Sequence, residues 1–397
     1  MSDVRKILEK GEGILQLLPT WVPRPFNKPG RRLRLHQDDY FAMGMDRGAI
    51  VERWFSSITH VETEGAGEHE GMSFVNVDDD LSKKILFKDF VDELGEDLIG
   101  KELMETYGTW PMYSKFYDYE YPLFHHIHHG QEACDKVGVK PKFEHYYFPK
   151  QYNQHLGKMP ITYFGFDPSV SKEEVMERLR EYTTRDNRIT ELSRAFRIEL
   201  DTGWYTPAGV LHAPGSLCTY EPQWNSDAMA MWENVVSGEI FGYDSLSAYL
   251  PEDEKNDIEK IFEVADWEVN TAPDYRERFF RRPVVEQKED GYEQRWIVYG
   301  NDYVGGKQLE VEPGATVTVK DSSAYGCVVI QGYGKIGKFD CEAPTLIRYG
   351  QATADEFFVS KKCAEKGVVI TNKSKYEPLV ILKHFGPDGN ILPHKAG

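Results

Sequence analysis

Five of the 12 histidines fall close together, at His125, His126, His128, His129 and His145. Imidazole is the side chain that most readily ligates a metal or moves protons near neutral pH. On a β-strand alternate side chains share a face, so His126 and His128 point one way while His125, Ile127 and His129 point the other. Only one pair can then share an ion. In the following strand Glu144 and Tyr146 share a face, and His145 takes the opposite one. His126, His128 and Glu144 on adjacent inward-facing strands offer two imidazoles and a carboxylate, and His212 from a later strand completes the set. Such nitrogen and oxygen donors with an open position suit one divalent metal ion, zinc first, with iron, nickel and manganese also accommodated. A lone His-x-His reads more simply as hydrogen-bonding residues of an aromatic sheet; the glutamate and the histidine after a Pro-Ala-Gly turn favour the metal. His125, His129 and His145 are expected to support the site or face outward.

These side chains need strands to hold them. Ile50–Phe55, Tyr113–Tyr119, Leu123–His128, Lys142–Phe148, Ile161–Phe166 and Phe196–Leu200 are short, aromatic or β-branched, and bounded by turn residues. Residues 31–78 read as β overall. Leu81–Tyr107 has helical spacing instead, and Ser171 with Glu174 forms a capping box for a helical insert. Pro251–Glu263 reads as a connecting helix. Beyond Pro283 the text is β to the end, through Arg295–Tyr299, Leu309–Val311, Thr316–Val319, Cys327–Ile330, Val368–Thr371 and Leu379–Leu382. The expected architecture is mainly β, two barrels with helical insertions, divided as 1–250, a connector at 251–283, and 284–397.

Composition narrows the partners. The 397 residues carry 47 Lys and Arg against 65 Asp and Glu, a net charge of −18. Broad binding to nucleic acid or anionic lipid is therefore excluded as an expectation. Met1–Gln16 lacks the apolar stretch of a secretory signal and no eighteen-residue apolar run occurs, so a cytoplasmic protein is expected. Five scattered cysteines without a C-x-x-C suggest neither a disulfide framework nor a thiolate zinc site.

His126-Ile-His128, Lys142-Phe-Glu144, Gly165-Phe166, the helical insert and Thr206-Pro-Ala-Gly-Val-Leu-His212 occur in an order that resembles the type I mannose-6-phosphate isomerases of the cupin superfamily. The resemblance runs from about Leu98 through Asp227 and continues more weakly over the C-terminal β region. It implies jelly-roll barrels, His126, His128, Glu144 and His212 as metal ligands, and Lys142 as a pocket base or substrate contact. Two positions depart from the pattern. The family has Gln where this chain has His126. Its Glu-x-Gln-x-x-Ser-Asp-x-x-x-Arg segment matches Glu221 through Asp227 and then has Met231 in place of the active-site arginine. A thioether cannot replace a planar, permanently charged guanidinium in holding an anion. The C-terminal region resembles the second barrel but has no His-x-His, and His384 is expected to be unrelated to the metal.

The implied chemistry is aldose–ketose isomerisation, which needs a Lewis acid on the substrate oxygens and a base beside the carbon acid. Lys142, Glu221 and Asp227 are the candidate acid–base groups. Lys142, next to a cation, is expected to lose its proton near neutral pH. Tyr146, Trp204, Tyr205, Trp224 and Trp232 are candidate faces for a sugar ring, and Arg278, Arg281 and Arg282 candidate replacements for the missing arginine. The expected partner is a small carbohydrate, altered or unphosphorylated relative to the family's; a homodimer is kept open. An iron-dependent cupin oxygenase and a non-catalytic sugar-binding double barrel are the alternatives.

Overall fold

The computed structural model describes residues 3–77, 83–154, 159–236 and 238–394. The chain is mainly β, built from antiparallel sheets of the cupin type. A seven-stranded sheet and a five-stranded sheet face each other in the first part of the molecule. The former contains Thr20–Arg24, Ala49–Phe55, Met112–Tyr117, Glu144–Tyr147, Gly203–Thr206, Thr219–Trp224 and Phe280–Arg281. The latter contains His126–Ile127, Ile161–Phe166, Ser193–Arg197, His212–Ala213 and Ala230–Met231. A nine-stranded sheet and a four-stranded sheet make up the C-terminal part.

The strands form where β-branched and aromatic residues run between turns, since such side chains pack well on a pleated surface. Between the two N-terminal sheets lies an aromatic core that includes Tyr117, Tyr146, Phe164, Trp204 and Tyr275. Ile14, Leu309, Val329, Phe357 and Ile381 belong to the separate core of the C-terminal part.

Several expected elements are shorter than their text. The histidine strand is ordered as β only at His126–Ile127, where it pairs with His212 on one side and Ala230–Met231 on the other. Phe196–Leu200 slides to Ser193–Arg197, with a bulge between Ser193 and Ala195. Among the described residues of 31–78 only Ala49–Phe55 and Phe74–Val75 are strands. The helical stretch is Phe87–Leu94, Glu96–Ile99 and Lys101–Tyr107, interrupted by Gly95 and Gly100 at positive φ; Leu81 lies outside the described residues. The capping box of Ser171 and Glu174 is present. The connector forms Ile258–Phe262, followed by Trp267–Asn270 and Tyr275–Phe279.

Some pairings cross the linear order. Ile14–Leu18 hydrogen-bonds to Glu356–Val359, so the first strand sits in the C-terminal sheet. All five cysteines are free. Among the described residues no helix is long and apolar enough to cross a membrane.

Candidate metal centre and cavity

Strand register brings the donors together. His212 lies opposite His126 in the five-stranded sheet, and Glu144 faces them from the seven-stranded sheet, between Thr206 and Gln223. His128 follows directly after its short strand. One ligand atom from each of His126, His128, Glu144 and His212 lies within 4.8 Å of the others, and all four residues are buried. These are the four residues expected as ligands.

Each imidazole is oriented by its far nitrogen. Nδ1 of His126 donates to Phe124 O at 2.9 Å, Nδ1 of His128 to Ala228 O at 2.8 Å, and Nδ1 of His212 to Val210 O at 2.8 Å. The three Nε2 atoms are thereby left with lone pairs directed at the cluster. Burial, with Lys142 adding, holds His128 down to about 3, and burial with the neighbouring imidazoles depresses His126 as well. Nε2 of His212 is 2.9 Å from Glu144 Oε1, an acceptor meeting an acceptor. A cation between them relieves that repulsion, so the donor set fits a divalent metal.

The turn that delivers His212 is clamped from outside. Asn270 is fully buried; its Oδ1 accepts from Leu211 N at 2.9 Å, and its Nδ2 donates to Gly209 O at 2.7 Å. Gly165, at φ 63°, lets the adjacent strand pass close by, since a Cβ there would lie 2.3 Å from Asn270 O.

Beside the quartet runs a buried file of alternating charge. Lys142 Nζ lies 2.7 Å from Glu144 and 3.3 Å from Glu221; Lys115 Nζ lies 3.5 Å from Glu221 and 3.7 Å from Glu52. Arg24 then joins Glu52 at 3.1 Å to Asp227 at 3.0 Å. Lys142, Glu221 and Asp227, the candidate acid–base groups, are thus all in one place, and all are buried. Burial pushes Glu221 up to about 8, against the pull of Lys115 and Lys142 and with help from Glu144. Burial alone would lower the pKa of Lys142, but the neighbouring carboxylates of Glu144, Glu221 and Asp227 act against burial and raise it.

Other expectations are corrected. Arg278, Arg281 and Arg282 do not line this cavity: Arg281 donates to the carbonyls of Tyr299, Arg278 and Phe280, and Arg282 is exposed beside Glu199. Of the five candidate aromatic faces only Tyr146 lines it, with its hydroxyl on Glu144. Trp204 packs with Phe164 and Phe196, Trp232 with Phe166 and Phe262, and Trp224 against Tyr107 and Tyr303; Tyr205 lies near His145. Met231 is buried opposite His126. His125 binds Glu233 at 2.9 Å, His129 is buried, His145 donates to its neighbour's carbonyl, and His384 is hydrogen-bonded to Ser114 and Tyr220 away from the quartet.

Arg24, Glu52 and Lys115 were not anticipated. Their one sequence signal is a charge inside an otherwise apolar strand, as in Ile50-Val51-Glu52 and Tyr113-Ser-Lys115-Phe-Tyr117. All five N–H groups of Arg24 are used, by Glu52, Asp227 and Thr63. Every cation at the cavity, among the described residues, therefore has carboxylate partners. The cavity itself is about 20 Å³, room for a water or an ion, and Phe26, Leu123, Pro214 and Met229 contribute apolar lining. Ligand sites are typically about 300–1,000 Å³, so a sugar enters only if the cavity widens.

Two facing antiparallel sheets with three imidazoles and a carboxylate between them define a cupin-fold double-barrel protein with a candidate metal centre. Mannose-6-phosphate isomerases are among the solved structures with a similar fold. That from Bacillus subtilis superposes with a TM-score of 0.63 at 17% identity, covering 94% of this chain and 99% of that one. A variant of phosphomannose isomerase from Salmonella typhimurium gives 0.61 at 9%, covering 94% and 100%. A mannose 6-phosphate isomerase bound with zinc and yttrium gives 0.60 at 10%, covering 94% and 99%. At these identities the likeness establishes the fold. No family model matches the sequence, and no curated protein does.

Proposed function

We propose that the protein is a metal-dependent aldose–ketose isomerase acting on an unphosphorylated sugar. The carrying observation is the convergence of His126, His128, Glu144 and His212 beside Lys142 and Glu221 in one buried cavity. When bound there, a divalent ion would supply Lewis acidity to the sugar oxygens. Zinc is the first choice for three imidazoles and a carboxylate.

The chain's own groups take the protons. Glu221, poised at about 8, is the base suited to removing the proton from C2 and returning it at C1. Lys142 holds its proton and donates to the oxygen that gains charge, while keeping Glu221 and Glu144 in place. Asp227, gripped by both arms of Arg24, is a positioning residue for the far end of the file.

The neutral substrate rests on charge. Met231 stands where the related enzymes have an arginine, and Arg24 has no N–H to spare. A phosphate would have to break an existing ion pair, whereas hydroxyls can join the network. The test is a panel of phosphorylated and unphosphorylated aldoses and ketoses incubated with the metal-loaded protein. Conversion of at least one neutral sugar is expected; conversion of phosphates alone rejects the neutral substrate. Oxygen uptake by the iron form without isomerisation would instead favour an oxygenase.

A further inference from the structure

Arg31-Arg32-Leu33-Arg34 is an arginine-rich run in a chain of net charge −18, and none of it reaches the metal cavity. It borders a separate cavity of about 740 Å³, with Lys150 and Tyr152 on one wall and residues 330–333 and 342–346 on the other. That volume lies within the usual range for small-molecule sites, about 300–1,000 Å³.

Three observations there go beyond packing. Half-buried Arg34 donates to the carbonyl oxygens of Pro344 and Ile330, each at 3.0 Å, and of Gln151 at 3.4 Å, and lies 4.1 Å over the Tyr152 ring. Carbonyl dipoles fix the guanidinium without neutralising it, and among the described residues it has no carboxylate partner. Arg31 is exposed and likewise has no acidic partner among them. Arg32 is paired with Asp118, yet its buried Nη1 has no hydrogen-bond partner.

The backbone adds to this. Arg31 at φ 66° and Arg34 at φ 61° both adopt the left-handed conformation that side chains other than glycine usually avoid. Strain of this kind persists where the surrounding structure enforces it, often at ligand sites. Here it places two uncompensated guanidinium groups at one cavity. The acids of this cavity, Glu342 and Glu377, are exposed, and Lys150 is already engaged by Asp201.

We infer that this cavity binds a small multivalent oxyanion, a phosphate ester or a polycarboxylate, through Arg31 and Arg34. Guanidinium groups match both oxyanions by paired N–H donation. The site shares no lining residue with the metal cavity, so it stands or falls independently of the isomerase reading. Because its walls come from early and late parts of the chain, an occupant also joins them and raises the unfolding temperature.

Calorimetric titration of the full chain with pyrophosphate and with citrate, at matched ionic strength, tests this. Saturable binding of one equivalent is expected, and the stronger of the two probes tells phosphate from carboxylate recognition. Arg31→Ala, which removes no internal bond, should weaken binding about tenfold, and Arg34→Gln at least as much. Arg282→Ala, an exposed arginine outside the cavity, should leave it unchanged. Absence of saturable binding up to about 10 mM, or equal losses in Arg31→Ala and Arg282→Ala, would overturn the inference.

Discussion

Glu221 shows how a single residue's setting decides its use. A surface glutamate is ionised at neutral pH and is a weak base, whereas this one is buried between Lys115 and Lys142 and poised at about 8. Glu221→Gln keeps the shape and removes the base. It should lower isomerisation by about 10²–10⁴-fold with metal stoichiometry unchanged, measured by kinetics and elemental analysis on one preparation. Loss of metal in that variant would assign Glu221 a structural role instead. The ligands themselves should behave differently: His126→Ala and Glu144→Ala should each lower metal occupancy, and full occupancy in either would remove the proposed centre. The quartet was legible in the sequence because each donor sits in a short contiguous pattern whose strand alternation sorts inward from outward. Arg24, Glu52 and Lys115 were not, since their partners are supplied by strand register: Arg24 meets Asp227 across 203 positions of sequence.

Elements position these residues through clamps that composition does not reveal. The Pro207–Leu211 turn presents His212, and Asn270, from a short helix nearly sixty residues later, fastens it by two hydrogen bonds. Asn270→Ala should therefore weaken metal binding by about 10–100-fold, as removal of supporting partners typically does, without touching a ligand. A competition titration with a chelator reads this directly; unchanged affinity would mean that the turn holds its own shape. The order of strands and the capped insert could be read from periodicity and turn residues. Strand ends could not: Leu123–His128 alternates as a strand should, yet only His126–Ile127 finds ladder partners. The aromatics misled for a related reason. Tryptophan suits a sugar face and a barrel core equally well, and Trp204 and Trp232 serve the core.

At the scale of the whole molecule the two β parts are joined by buried charge. Arg53 of the seven-stranded sheet makes a two-pronged bond to Asp355 at 2.7 and 2.8 Å, just ahead of Glu356, which begins a strand of the nine-stranded sheet and lies alongside. Arg53→Ala would leave the buried Asp355 carboxylate without its cation and should cost about 3–5 kcal/mol in denaturant unfolding. Glu356 makes the junction sensitive to pH. Burial raises it from 4.5 to about 8, Asp355 adding and Arg53 opposing, so the folded state binds a proton that the unfolded chain releases. Its contribution to stability is complete below about 4.5 and is lost as the pH rises through about 8. Stability measured from pH 5 to 9 should fall more steeply in the wild type than in Glu356→Gln; parallel curves would show that Glu356 is ionised throughout.

The central claim, proton transfer on a neutral sugar beside a centre that His126, His128, Glu144 and His212 would supply with a metal, is tested most directly by deuterium exchange. Unphosphorylated aldoses are incubated with the metal-loaded protein in deuterated water, and C2 is followed by NMR. The account predicts deuterium at C2 of at least one neutral sugar, abolished in Glu221→Gln and in His126→Ala. Exchange that persists in Glu221→Gln, or no exchange with any neutral sugar at full metal occupancy, would contradict it.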